Sequence, residues 1–318
     1  MRGLKISALL KFMTYYTNLT GYPVPAPPGF ASAWSRGLEV GVGKSSSRLL
    51  FTGALYQLVP YINATVRLLE LAEERGLSDV LDVMAELARL RPAALWGLVR
   101  PDPAEVEESN LILRSIVELL SSSGVEFYYD PNVSDMYSGA LLLDLGLRDA
   151  LVEHARSVVR AIESTGAEEV IVVDPHTAIT LRAYKRYLGL GVEVRSYLEL
   201  VRPLSGPRGV NATVHDSCIY ARDLGLWKRV RELLKYAGVN VQEARRHGAL
   251  TSCCGGPVES LSPALATKVA RARLQELVKA SGNVVTACPV CLASLRRASD
   301  GAVRVIDIAL LLTGRAGK

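Results

Sequence analysis

All five cysteines of the chain lie in its last third. They are Cys218, Cys253, Cys254, Cys288 and Cys291. A Cys-x-x-Cys turn such as the last pair lets two thiolates converge on one metal centre. Neighbouring side chains of an extended segment point to opposite faces, so Cys253 and Cys254 reach a common centre only across a bend. The Gly-Gly-Pro sequence at 255–257 follows at once and supplies that bend.

This set of thiols favours a metal centre over other uses of cysteine. A disulfide framework belongs to short secreted chains, and free cysteines that serve only as small apolar residues have no reason to cluster in flanked motifs. Soft sulfur ligands select zinc, copper(I) or iron–sulfur clusters. A structural zinc site is closed by four ligands, whereas a cluster of several irons has more coordination positions to fill. Iron–sulfur is therefore the first interpretation, and zinc is the alternative.

Three motifs resemble the cysteine-rich CCG domain: His-Asp-Ser-Cys at 215–218, Ser-Cys-Cys-Gly-Gly at 252–256 and Thr-Ala-Cys-Pro-Val-Cys at 286–291. That domain occurs in the disulfide-cleaving subunit of heterodisulfide reductase. It also occurs in iron–sulfur subunits of glycolate, lactate and glycerol-3-phosphate dehydrogenases and of an archaeal-type succinate dehydrogenase. The resemblance implies that the five cysteines bind one non-cubane four-iron four-sulfur (4Fe-4S) cluster.

The apolar patterns predict an α/β fold. Short apolar runs such as 49–51, 125–129, 170–173 and 304–308 are typical of buried strands, and helical segments alternate with them. Such alternation predicts parallel sheets with helices on both faces. The cysteines then lie in loops at strand ends, where these folds place their sites.

The first half of the chain resembles a copy of the second that has lost its cysteines. Thr52-Gly53-Ala54 parallels Asp216-Ser217-Cys218, Tyr137-Ser138-Gly139 parallels Cys253-Cys254-Gly255, and Asp174-Pro175-His176-Thr177 parallels Cys288-Pro289-Val290-Cys291. We therefore predict a tandem repeat of two Rossmann-like CCG-type domains. The expected segments are an N-terminal helix and Pro-rich linker over 1–47, a cysteine-free domain over 48–200 with a helical insertion near 77–100, and a cluster-binding domain over 201–318.

The N-terminal segment combines basic and apolar residues at helical spacing. Lys5 and Lys11 interrupt its apolar run, which argues against a signal peptide. An amphipathic helix fits better, docked on this protein, a partner or a membrane surface, and docking on this protein is favoured. The prolines between 23 and 28 predict an extended linker. We expect the helix and linker to be the partner-facing elements.

The overall composition limits the function classes. The net charge of +5 without a basic stripe gives no reason to expect nucleic-acid binding. Free clustered cysteines fit a reducing cytoplasm. No G-x-G-x-x-G fingerprint follows a strand, so hydride chemistry must come from a partner. The family resemblance implies a flavin-containing dehydrogenase or reductase subunit and another iron–sulfur subunit as partners, with contact to the inner face of a membrane through one of them.

Two functions remain open from the sequence: an electron-transfer subunit carrying one cluster, and a zinc-binding structural subunit without redox activity. His215 and Asp216 precede Cys218, and either hydrogen-bond the cluster sulfurs or deliver protons, or form a buried polar pair that stabilises the strand end. His176 beside Asp174 is a poor metal site, and a structural turn is favoured. If the cluster acts directly on a disulfide or thiol, Tyr137 and His176 are expected to line the opposite wall of that site.

Overall fold

The computed structural model describes residues 6–38, 40, 46–75, 83–84, 86–87, 92–204 and 209–316. The strands are β1 (Arg48–Phe51), β2 (Glu169–Val172), β3 (Glu193–Ser196), β4 (Asn211–Val214), β5 (Asn240–Val241), β6 (Asn283–Thr286) and β7 (Arg304–Asp307). The helices are α1 (Ile6–Thr20), α2 (Leu55–Glu74), α3 (Pro92–Leu98), α4 (Pro103–Ser122), α5 (Pro131–Ser134), α6 (Ala140–Asp144), α7 (Arg148–Ser164), α8 (Pro175–Leu188), α9 (Tyr197–Leu200), α10 (Trp227–Tyr236), α11 (Pro263–Leu277), α12 (Pro289–Ser299) and α13 (Ile308–Leu312).

Two parallel sheets organise the chain, one in residues 48–200 (the first half) and one in residues 201–318 (the second half). The first has the order β1-β2-β3 and the second the order β5-β4-β6-β7. In β1, β2, β4, β6 and β7 the last three residues are buried, as expected for parallel strands covered on both faces, whereas the edge strands β3 and β5 are more exposed. The predicted α/β class with parallel sheets is confirmed.

The strand predicted over 125–129 is reduced to one bridge, in which Tyr128 pairs with Leu49 at the edge of β1. Leu50 donates to the carbonyl of Tyr128, and Tyr128 donates to the carbonyl of Arg48. The chain then turns at once into α5, because the Asp130 side chain caps that helix by accepting from the amide of Asn132. The segment 125–129 therefore pairs with β1 through Tyr128 alone.

Strand ends lead directly into capped helices in both halves. After β2, the Asp174 carboxylate accepts from the amide of Thr177 at 2.9 Å and caps α8. After β6, Cys288 occupies the cap position of α12. A proline follows each cap at the first helical position, where its missing N–H is not needed. These strand-to-helix connections place the cap residues Asp174 and Cys288 at the carboxyl ends of the strands in their sheets.

The N-terminal helix and the linker pack on this protein. The apolar face of α1 is buried, with Phe12 and Tyr16 among its buried residues. Trp34 is fully buried, and its Nε1 donates to Asp135 Oδ1 at 3.2 Å. Docking on this protein is therefore the correct alternative. The body of the protein covers Phe12, Tyr16 and Trp34, so these side chains are not available to a partner, and partner contact through the rest of the segment stays a prediction.

Side-chain contacts join the two halves. The Tyr56 hydroxyl on α2 donates to Asp307 Oδ2 at the end of β7, at 2.7 Å. Burial raises the pKa of Asp307 to about 7. Ser196 Oγ and the Tyr220 hydroxyl form a further buried hydrogen bond at 2.9 Å. Residues 77–82, 85 and 88–91 of the insertion predicted near 77–100 lie outside the described residues; within them, α3 and residues 83–84 and 86–87 are helical.

Candidate metal centre

The carboxyl ends of two neighbouring strands supply three of the cysteines. β4 pairs with β6 in parallel, so their ends meet at one edge of the sheet. Cys218 follows β4 at the start of a short π-helix (Ile219–Asp223). Cys288 follows β6, and Cys291 lies in the first turn of α12. The sheet topology therefore brings together thiols that are far apart in the sequence.

The double glycine is needed to bring the remaining pair to the same place. Gly255 has φ of +83°, and a Cβ there would lie 2.7 Å from the carbonyl oxygen of Ala266 in α11. A Cβ on Gly256 would overlap Cγ1 of Val290 and lie 3.4 Å from the sulfur of Cys254. The loop can approach α11 and α12 this closely only without side chains at the two positions.

The thiols contact one another. Cys254 accepts hydrogen bonds from Cys253 and Cys291, which lower its pKa well below the usual value. Burial raises the pKa of Cys288, but a hydrogen bond from Cys291 and the neighbouring His176 together bring it to about 5. The pKa is thus lowered at Cys254 and Cys288, the two thiols that accept hydrogen bonds from their neighbours. Thiolates, which are the metal-binding form, are therefore favoured at neutral pH at Cys254 and Cys288, whereas the pKa of Cys218, Cys253 and Cys291 is raised.

The start of α12 adds to this preference for negative charge. Cys288 is its cap residue and Cys291 lies within its first turn. The first amides of a helix have no partners within the helix and point outward, and the helix dipole is positive at this end. Both effects stabilise a thiolate, as at the reactive cysteines of other proteins.

His215 is positioned by an arginine so that it donates toward the sulfurs. It is 1% exposed, and its Nδ1 accepts from Arg273 Nε at 3.1 Å. Because a guanidinium only donates, Nδ1 carries no proton, and the proton of the ring lies on Nε2. A ring nitrogen of His215 and the sulfurs of Cys254 and Cys291 all lie within 4.8 Å of one another. Because Nδ1 already accepts a hydrogen bond from Arg273, the His215 nitrogen that faces the two sulfurs is Nε2.

Asp216 is not directed at the sulfurs. Its carboxylate accepts from Arg231 Nη2 at 2.8 Å and from the amide of Gly248 at 2.7 Å. The Thr251 hydroxyl donates to its backbone carbonyl at 3.0 Å. These bonds hold the loop that leads to the cysteine pair. These contacts favour the structural alternative for Asp216, whereas a role of His215 at the sulfurs stays a prediction.

The matching positions of the first half are filled by packed side chains. Thr177 Oγ1 donates to Ser138 Oγ at 3.1 Å, and the Tyr184 hydroxyl donates to the carbonyl of Ser138 at 2.6 Å. A Cβ on Gly53 would clash with Thr177. Tyr137 is buried, and its hydroxyl accepts from the amide of Leu141 at 2.7 Å. Tyr137 therefore packs and does not line an open wall as the direct-chemistry interpretation expects.

His176 belongs to the first half but lies at the cysteines of the second. It does not pair with Asp174, which caps α8 instead. Its Nδ1 lies 2.8 Å from Asp144 Oδ2, and it hydrogen-bonds the sulfur of Cys288. Burial lowers the pKa of His176, but Asp144 and Cys288 outweigh it and raise the pKa well above the usual value. No sequence motif indicated Asp144 or Arg273, because each acts through a contact between distant segments.

The ligand set fits an iron–sulfur cluster better than a single closed zinc ion. Five thiols converge, the two most acidic of them buried, and a buried N–H of His215 points at them without a nitrogen or oxygen acceptor among the described residues. Hydrogen-bond donors of this kind are typical of cluster sulfurs.

Comparison with known proteins agrees with this class. Residues 212–296 match the family model described as "CCG: Cysteine-rich domain". The chain therefore carries a CCG-type cysteine-rich domain over these residues, and the family resemblance is confirmed.

Three curated relatives are similar to longer parts of the chain. The "EtfAB:quinone oxidoreductase" of Syntrophomonas wolfei subsp. wolfei is 26% identical over 265 residues, which is 76% of this chain and 36% of the relative. A "Probable membrane-anchored ferredoxin" of Chromohalobacter salexigens is 25% identical, covering 62% of this chain and 32% of the relative. One component of the "Dihydromethanophenazine:CoB--CoM heterodisulfide reductase" of Methanosarcina mazei is 31% identical, covering 46% of this chain and 40% of the relative. The chain thus matches well under half the length of each relative.

The domain match and these relatives support an iron–sulfur redox role. Within the described ranges, no helix combines the length and the apolar character needed to cross a bilayer.

Proposed function

We propose that the chain is an electron-transfer subunit with one non-cubane 4Fe-4S cluster held by Cys218, Cys253, Cys254, Cys288 and Cys291. The observation that carries the proposal is the convergence of these thiols from three separate segments on one edge of the second sheet. The bound cluster supplies one-electron transfer. The chain supplies the ligands, the hydrogen bond from His215 and the positive end of α12.

The exposure of the ligands supports a relay rather than a closed structural site. Cys254, Cys288 and Cys291 are buried, Cys218 is partly exposed and Cys253 is exposed. Leu250, close to Cys253 along the loop, is 78% exposed. The loop around Cys253 therefore brings the proposed centre near solvent. The exposed apolar side chain of Leu250 could be buried by a partner that docks there. We therefore assign the docking edge to this loop rather than to α1.

We also propose that 48–200 and 201–318 are two copies of one CCG-type domain, preceded by the N-terminal segment 1–47. The order β1-β2-β3, with Tyr128 bridging to β1 on its outer edge, matches the order β5-β4-β6-β7. Asp174-Pro175 and Cys288-Pro289 cap the helix after corresponding strands. Because the cysteine-free copy is filled by its own side chains, it serves as scaffold and holds no second cluster.

The proposed setting is a cytoplasmic redox complex with a flavin-containing dehydrogenase or reductase subunit and another iron–sulfur subunit. The names of the quinone oxidoreductase and heterodisulfide reductase relatives support this setting. Contact with the inner face of a membrane is then made through a partner. Within the described residues the chain offers ligands for a cluster, and we assign hydride chemistry to the flavin subunit.

Metal analysis tests the cluster directly. After anaerobic preparation, we expect about four irons and about four acid-labile sulfides per chain, with visible absorption. A value of about eight would contradict the single-cluster proposal. Stoichiometric zinc without iron, in a colourless protein, would instead support the alternative of a structural zinc subunit, which needs only four of the five thiolates.

Replacing His215 with alanine separates relay from direct chemistry. In a relay the lost N–H changes mainly the reduction potential, and turnover of the intact complex falls by no more than about tenfold. If His215 is a general acid for a disulfide or thiol substrate, the loss is on the order of a hundredfold or more. We expect the smaller effect, because His215 is only 1% exposed and is therefore withdrawn from a substrate in solution. His247→Ala is the matched control, since His247 Nδ1 bonds only the nearby carbonyl of Ala244 in the described structure. A large turnover defect with unchanged potential would contradict the relay.

A further inference from the structure

A chain of polar contacts runs from the cysteine-free half to a proposed cluster ligand. Asp144, at the end of α6, lies 2.8 Å from Nδ1 of His176 in the first turn of α8. The imidazole also hydrogen-bonds Cys288, at the cap of α12. Both side chains are largely withdrawn from water, with 6% of His176 and 14% of Asp144 exposed. A cysteine-free domain thus reaches the proposed metal centre through one side chain.

The chemistry of the two neighbours defines what His176 does. An ionised carboxylate and a thiolate accept hydrogen bonds and donate none. A histidine contacting such a sulfur can hydrogen-bond it only through a ring N–H. Asp144 contacts Nδ1 at 2.8 Å and fixes the ring plane, which orients the imidazole toward Cys288. The arrangement resembles the way second partners orient histidines at metal centres, although here the histidine contacts a ligand and not the metal.

A hydrogen-bond donor at a ligand sulfur has a defined electrochemical effect. Reduction adds negative charge to a cluster, and hydrogen bonds to its sulfurs stabilise that added charge. The effect is strong in a site with little water, where charges are weakly screened.

We infer that His176, oriented by Asp144, is a positioning residue through which the cysteine-free half raises the reduction potential of the centre. This inference rests on the proposed function, because it requires a redox cluster on Cys288. It gives the first half a role in tuning the centre in addition to its role as scaffold.

The packing of His176 supports a polar role over simple space filling. The turn that carries it is already held by the Asp174 cap and by Thr180 Oγ1, which donates to the His176 carbonyl at 2.7 Å. The imidazole is not needed for either bond. A residue that only filled this space would leave Asp144 and Cys288 without their shared partner. The side chain is therefore separable from the fold of α8.

The test uses the full chain with its cluster, titrated with redox dyes and followed by electron paramagnetic resonance. His176→Gln keeps an N–H donor on a side chain of different shape, whereas His176→Leu removes the donor. At a fixed ambient potential, we expect the ratio of reduced to oxidised cluster to fall about tenfold in His176→Leu, about 59 mV for one electron. His176→Gln is expected to fall between it and the unmodified chain. Asp144→Asn is expected to give a smaller decrease of the same sign.

His154→Gln is the matched control. His154 is also a buried histidine of the first half, but its Nε2 bonds the carbonyl of Tyr137. We expect this variant to leave the potential unchanged. Equal reduction potentials in the control and in both His176 variants would overturn the inference, even if iron content or stability fell. Loss of a purely structural residue changes iron content and stability but not the reduction potential. If His176→Leu does not fold, His176→Gln and Asp144→Asn decide by the same criterion. Absence of iron in the unmodified chain would refute the proposed function instead.

Discussion

Adding one methyl group at either glycine of the Cys-Cys-Gly-Gly loop is expected to remove most of the bound iron. In Gly255→Ala the new Cβ meets a backbone oxygen, that of Ala266, at 2.7 Å, and the residue must also keep φ of +83°. Neither conflict is relieved by rotating a side chain. The loop is therefore expected to move away from α11 and to carry Cys253 and Cys254 with it. Iron per chain after anaerobic preparation measures the loss.

Gly256→Ala is expected to lose iron for a different reason. This loss can be reversed by a second substitution. The new Cβ overlaps Cγ1 of Val290, and a β-branched side chain has little freedom to rotate away. Val290 lies between Cys288 and Cys291, so displacing it disturbs both. The second substitution Val290→Ala removes the overlapping atom, and iron binding is expected to return in Gly256→Ala/Val290→Ala. The same second substitution is not expected to rescue Gly255→Ala.

Gly282→Ala is the control for both variants. It lies just before β6, its φ is not positive, and a Cβ there meets nothing within 4 Å. Full iron content in this variant shows that a methyl group in the same half is tolerated where there is room. Retention of iron by Gly255→Ala would show that the loop does not need the close approach to α11.

The second large effect is expected at Arg273, where replacement by alanine should lower the free energy of unfolding by about 3 kcal/mol. Arg273 is 1% exposed and lies 3.0 Å from Glu276 and 3.1 Å from His215 Nδ1. Removing it leaves a cavity and takes away the cation that pairs with both groups, and each change is destabilising. The value is at the low end of the range for buried pairs, since Glu276 keeps Arg246 as a partner. Urea unfolding measures it.

Arg271→Ala, two residues away on α11, is the matched control. Its ion pair with Asp300 is open to solvent, with 56% and 73% of the two side chains exposed. Exposed pairs of this kind contribute at most about 1 kcal/mol. Equal losses in the two variants would show that the burial of Arg273 does not matter for stability. A large loss in Arg273→Ala alone supports its role as the buried support of His215.

The sequence predicts structure best where the pattern lies among residues that are close along the chain. The alternation of apolar runs predicted the α/β class, and the proline and glycine motifs marked the turns at Cys254 and Cys288. Contacts between distant segments were not predictable, and Arg273 and Asp144 were missed for that reason. His176 was compared with Asp174, two residues away, yet Asp174 caps α8 whereas His176 points from its first turn toward another helix. Adjacency in sequence was misleading there because the two side chains leave the turn in different directions.

The same distinction explains the N-terminal segment. Its amphipathic pattern predicted a helix with one apolar face, and α1 has that face. The pattern carries no information about what covers the face. The covering surface is formed by tertiary packing, in which residues of α3 such as Leu95 cluster with Phe12 and Tyr16.

The spacing of the thiols along the chain has a consequence for folding. Cys218, the pair at 253–254 and the pair at 288 and 291 divide the second half into two long loops closed at one point. Joining the ends of long loops removes many conformations from the unfolded chain, as a disulfide does. In the proposed centre, coordination at these positions acts as a cross-link among β4, the glycine loop and α12. Assembly of the centre and folding of this half then become a single coupled event.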